Sequence, residues 1–115
     1  MKKDEGFTLL ELLVVVAIVG ILAATSIYQY ASYRGDAYCS RIEADVHNTI
    51  IALEGRFTST QSYAGVPAVQ TEDNGIVITI DVSATQISTV EGTHLRCKKG
   101  KFIFDPTANP TYSWQ

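Results

Sequence analysis

Phe7 to Ala31 reads FTLLELLVVVAIVGILAATSIYQYA, twenty-five residues carrying one charge, Glu11. About 20 helical residues at about 1.5 Å each cross a hydrocarbon core, so this run is long enough to span a membrane. A soluble domain of ordinary size would not bury it around its whole circumference. A signal anchor meets that constraint. A cleaved secretory signal peptide meets it less well: the run is longer than a usual signal-peptide core, and no small-x-small site closes it before a polar domain.

Glu11 needs an explanation that a plain anchor does not supply. A carboxylate costs roughly 2.5–3.5 kcal/mol at the bilayer centre and less toward the interface. The next cation along the same predicted helix is Arg34. The partner is therefore expected from outside the helix, from another copy of the chain; a carboxylate snorkelling to the interface is the alternative.

Gly6-Phe7-Thr8-Leu9-Leu10-Glu11, followed by uncharged Leu12 to Ala24, resembles the class III signal sequence of type IV pilins and their pseudopilin relatives. The resemblance is close over Gly6 to Ala24, looser along the helix behind it, and says little of the C-terminal half. It implies that residues 1–6 are a leader, that a prepilin peptidase cuts between Gly6 and Phe7, and that the new amino terminus is methylated. It also implies that Glu11 attracts the Phe7 ammonium of a neighbouring subunit during assembly. Opposite charges attract far more strongly at low dielectric than in water, and an unpaired one is penalised there. Two positions depart from the family's habit. The leader's Lys2 and Lys3 are offset by Asp4 and Glu5, although acids count little in the positive-inside rule. Tyr28 stands where many members carry a proline, leaving Gly20 and Gly35 as the soft points of the helix.

The chain's net charge is −3, unchanged by loss of the leader, and this argues against a dedicated nucleic-acid binder. Met1 is the only methionine, and Asn109-Pro110-Thr111 has the proline that forbids a glycosylation sequon. From Ser32 onward, Cys39, Ile42, Val46, Ile50, Leu53 and Phe57 form one apolar stripe at the helical period. Arg41 with Asp45, and Glu43 with His47, stand at i,i+4 spacing, each pair worth a few tenths of a kcal/mol. With no proline from Phe7 to Thr58, residues 7–58 are predicted as one helix of roughly 78 Å, of which 7–31 is the transmembrane and assembly segment.

Residues 59–115 are predicted as a small β-sheet head. A polar loop with Gly65 and Pro67 leads to the Asn74-Gly75 turn and a strand from Ile76 to Val82. A second strand is predicted at Gln86–Val90, turning at Glu91-Gly92, and a third at Thr93–Lys98 with Leu95 and Cys97 inward. A fourth follows the Lys99-Gly100 turn at Lys101–Phe104; Asp105-Pro106 ends regular structure and Pro110 keeps the tail irregular. An antiparallel sheet on a helix stripe is an α+β fold. Cys39 on the stripe and Cys97 on its strand point into one core, so a disulfide between them is expected, with two buried free thiols as the alternative.

Arg34-Gly35-Asp36 matches an adhesion tripeptide but falls within the predicted helix. Arg96, Lys98, Lys99 and Lys101 are expected to be a solvated face rather than a polyanion site. His47 and His94 have no metal-ligand spacing with the cysteines, and neither a catalytic constellation nor a cofactor motif is present, so no metal, no cofactor and no enzymatic activity are expected. Apart from Tyr28, the aromatics Phe7, Tyr30, Tyr33, Tyr38, Phe57 and Tyr63 resemble those of short pilins of metal-reducing bacteria, proposed to conduct electrons; interfacial anchoring and subunit packing are the plainer reading. The resemblance thus implies a filament subunit for adhesion, twitching motility or DNA uptake. Its partners would be other pilin copies, the prepilin peptidase, and an assembly platform and motor, with no specific nucleic acid. It would reside in the inner membrane before assembly and in an extracellular filament after it. A type II secretion pseudopilin and an electron-conducting pilin are the alternatives; outside the family stands a membrane-anchored binding protein that never polymerises.

Overall fold

The computed structural model describes residues 6–72 and 74–115; of the expected leader, only Gly6 lies within the described residues. It contains one helix, α1 (Leu9–Thr60), and five strands, β1 (Val69–Thr71), β2 (Val77–Val82), β3 (Ile87–Thr93), β4 (Phe102–Phe104) and β5 (Tyr112–Trp114). The class is α+β. The chain divides into two units, residues up to Tyr33 and residues Arg34–Gln115, described here separately.

In the first unit, α1 begins with a reciprocal cap. The Thr8 N–H donates to Glu11 Oε2 at 2.9 Å, and the Glu11 N–H donates to Thr8 Oγ1 at 3.2 Å. This Thr-x-x-Glu capping box satisfies two donors that a helix start would otherwise leave free. The apolar side chains that follow are exposed, from 82% at Leu9 to 47% at Val14.

In the second unit, Cys39, Ile42, Val46, Ile50 and Leu53 are buried, as the stripe predicts. α1 runs to Thr60, where Gln61 ends it in the left-handed conformation at φ 55°, its N–H donating to the Phe57 carbonyl at 2.7 Å. The strands form an antiparallel meander in the order β1-β2-β3-β4-β5. Two rows cross the helix-facing side: Ile78, Gly92, Phe102 and Trp114, then Ile80, Val90, Phe104 and Tyr112. Ile76, Ile78, Ile80 and Val90 are buried with the helix stripe in one apolar core.

The sheet differs from the expected one in four places. Glu91-Gly92 is not a turn but part of β3, which runs on to Thr93. Gly92 is there because β3 crosses Ile42 and Val46 too closely for any side chain, which is the other common meaning of a glycine within a strand. Thr93–Lys98 is accordingly not a strand: His94 to Gly100 is a loop with turns, Cys97 donating its N–H to the His94 carbonyl at 3.0 Å. Leu95 and Cys97 share no face; Leu95 is 103% exposed while Cys97 is buried. The tail is not irregular either, since β5 pairs with β4 beyond Pro110, and β1 pairs with β2 in a segment expected to be loop. Both are strands of three residues, too short to carry a periodic signal.

Candidate assembly site at the helix N-terminus

Gly6 and Phe7 lie immediately before the cap, Phe7 91% exposed and Gly6 with no atom near the position a β carbon would take. Glu11 sits one turn into α1, and among the described residues it makes no ion pair. Its carboxylate is instead occupied locally, by the Thr8 N–H. The sequence held that signal as Thr8-Leu9-Leu10-Glu11, although the argument from charge alone sends Glu11 outward for its only partner. The hydrogen bond uses one oxygen and neutralises no charge, so the carboxylate retains capacity for a cation. Behind it α1 is long and apolar enough to cross a membrane.

The sheet-bearing unit is fastened to its part of α1 by a disulfide between Cys39 and Cys97, S–S 2.08 Å. Gly35 helps the loop approach: a β carbon there would stand 3.3 Å from the Arg96 carbonyl oxygen. That contact accounts for the glycine of Arg34-Gly35-Asp36, a tripeptide that is helical throughout. Of the basic cluster, Lys101 pairs with Glu91 at 3.1 Å, Lys99 lies 5.4 Å from the Trp114 ring centroid and Arg96 5.7 Å from that of Tyr38. Arg41 pairs with Asp45 at 3.6 Å, but Glu43 does not pair with His47. Glu43 accepts the Trp114 indole N–H at 3.0 Å, and the His47 ring packs on Tyr112 at 4.4 Å. The i,i+4 rule could not anticipate a β5 tryptophan reaching the same carboxylate. Among the described residues no cluster of three metal-binding side chains occurs. Of the aromatics singled out along the helix, Tyr28, Tyr30 and Tyr33 are exposed, Tyr38 stacks on His94 and Phe57 stacks on Tyr63.

Comparison with known proteins agrees with this architecture. The family described as Prokaryotic N-terminal methylation motif matches residues 1–27. The fimbrial protein EcpB of Eikenella corrodens is 36% identical over 77 residues, 67% of this chain and 46% of the relative. A fimbrial protein of Pseudomonas aeruginosa is 50% identical over 54 residues, 47% of this chain and 35% of its own. The type IV major fimbrial protein FimA of Dichelobacter nodosus is 46% identical over 51 residues, 44% of this chain and 33% of its own. The chain spans less than half the length of these curated relatives. No solved structure matches it. A membrane-length helix behind a methylation motif, continuing into a small antiparallel sheet, defines the pilin-like class. These similarities support the type IV pilin family for this chain.

Proposed function

We propose that this chain is the structural subunit of a type IV pilus filament, held in the inner membrane by its apolar helix and carried to the cell surface by assembly with further copies of itself. A prepilin peptidase removes residues 1–6 and methylates Phe7. An assembly platform and motor then draw subunits out of the membrane. The filament serves adhesion, motility or DNA uptake and catalyses nothing. What supports this reading is one combination: a helix segment with apolar side chains exposed from Leu9 to Ile27, headed by a single carboxylate at Glu11. In a membrane lipid covers those side chains; in a filament, neighbouring helices do. The carboxylate then finds in the next subunit's Phe7 ammonium the cation that the membrane-length run from Phe7 to Ala31 does not offer. The fimbrial relatives favour this reading over a secretion pseudopilin or an electron-conducting pilin. Electron microscopy of cells with and without the chain tests it. Surface filaments lost on deletion and restored by the wild-type chain support it; filaments unchanged by deletion and free of the chain contradict it.

A further inference from the structure

Within the sheet-bearing unit, one hollow differs in character from the rest of this acidic chain. It measures about 280 Å³ and is lined by Arg34, Ala37, Tyr38, Arg41 and Asn74. Arg34 and Arg41 are two helical turns apart and so share a face of α1. Arg34 foremost, with a contribution from Arg96, holds the Tyr38 hydroxyl below its ordinary value of 10.0. A third guanidinium, that of Arg96, stands 5.7 Å from the centroid of the same ring. Among the described residues no carboxylate lines the hollow; Arg41 meets Asp45 at 3.6 Å, the arginine side chain 62% exposed and the aspartate 16%.

The walls are held in place. His94 stacks on Tyr38 with ring centroids 4.0 Å apart and planes 8° from parallel. Its Nε2 meets the Asn74 carbonyl at 3.1 Å, and its Nδ1 accepts the Arg96 N–H at 3.0 Å. Nδ1 as acceptor requires Nε2 to be the donor, so one tautomer satisfies both nitrogens. Cys97, next to Arg96, is tied to α1 through Cys39. Guanidinium groups fixed around a tyrosine are suited to phosphate oxygens, which they bind with charge-assisted hydrogen bonds.

Chain position selects the source of that phosphate. Arg34 is the first cation after the membrane-length run, and it follows three exposed tyrosines, Tyr28, Tyr30 and Tyr33, of the kind that settle at the headgroup level. We infer that this hollow binds the phosphodiester headgroup of an anionic membrane lipid while the subunit's apolar helix lies in the bilayer. The inference rests on the membrane-spanning part of the proposed function but not on filament formation. Bound lipid would hold the subunit in the membrane pool and would have to leave the hollow on extraction.

The test uses the full, disulfide-bonded chain in phosphatidylcholine nanodiscs with and without phosphatidylglycerol. Hydrogen exchange over residues 34–41 and 94–97, together with native mass spectrometry of retained lipid, gives the readout. Phosphatidylglycerol should slow exchange in both segments and be retained about tenfold or more over phosphatidylcholine. Arg34→Gln/Arg41→Gln/Arg96→Gln should abolish the preference, while Lys98→Gln/Lys99→Gln, on the same loop but outside the hollow, should keep it. Circular dichroism and the intact disulfide verify folding of both variants, and a triple variant that fails to fold is replaced by Arg41→Gln alone, which should weaken the preference. Equal retention of the two lipids, or equal loss in both sets of variants, overturns the site. Equal protection by inorganic phosphate alone makes it a soluble-anion site and overturns the lipid assignment. A triple variant that keeps its lipid preference but makes no filaments assigns the hollow to a carboxylate of a neighbouring copy, which overturns it too.

Discussion

Gly92 of β3 lies against Ile42 of α1 with no room for a side chain: a β carbon at 92 would stand 2.6 Å from Ile42 Cγ2 and 2.8 Å from Val46 Cγ2. Gly92→Ala therefore overpacks the core and is predicted to cost about 1–3 kcal/mol. Ile42→Ala alone opens a cavity and should cost about 2–5 kcal/mol. In the double variant each change relieves the other, so its loss should fall short of the sum of the two. Thermal unfolding of the four chains in detergent checks this; simple additivity would contradict the contact.

That glycine also shows where sequence reading stops. The apolar stripe from Cys39 to Leu53 and the period-2 run from Ile76 to Val82 were legible because each repeats often enough to fix a face. A single Gly after Glu91 carries no such repetition. It is equally good as a turn or as a close approach, and only Ile42 and Val46, some fifty residues away, decide between them. Cys97 was placed inward correctly but for the wrong local reason, since a turn and not a strand buries it. At the N-terminus the whole candidate site was legible, because Gly6, Phe7 and Glu11 are a local pattern. The cap from Thr8 was written there as well, and the argument from charge passed over it.

Glu43 and Trp114 provide a second prediction. Trp114→Phe keeps a ring against Phe102 but removes the indole N–H that Glu43 accepts. At a partly exposed site this should cost about 1 kcal/mol. Glu43→Gln retains an acceptor oxygen and should cost less. Unfolding curves in which Glu43→Gln is the more damaging change would show that the carboxylate's main partner lies elsewhere.

Asp105 sets a pH dependence. Its Oδ1 accepts both the Thr107 hydroxyl at 2.7 Å and the Thr107 N–H at 2.8 Å, and these bonds hold its carboxyl below the ordinary value of 3.8, the hydroxyl contributing most. A depressed acid stabilises the fold above its unfolded pKa and loses that contribution as pH falls through the folded one. The melting-temperature gap between wild type and Asp105→Asn should thus be constant from neutral pH to about pH 5 and shrink below about pH 4. A gap that widens on acidification would contradict this.

Glu11 has two roles to separate, helix cap and charge partner. Glutamine fills the capping-box position nearly as well as glutamate but brings no charge. Glu11→Leu should lose both roles, insert into the membrane more readily and assemble poorly. If pairing with the next subunit's Phe7 ammonium drives assembly, Glu11→Gln should be almost as defective as Glu11→Leu in filament yield. Wild-type yield from Glu11→Gln would leave only the cap.

The most direct measurement is the mass of the subunit in filaments sheared from the cell surface, taken without reduction. The account predicts a chain that begins at a methylated Phe7, lacks residues 1–6 and has no free thiol, because Cys39 and Cys97 are joined. Filaments built from chains that retain Met1 to Gly6, or surface filaments in which this chain is absent, would contradict it.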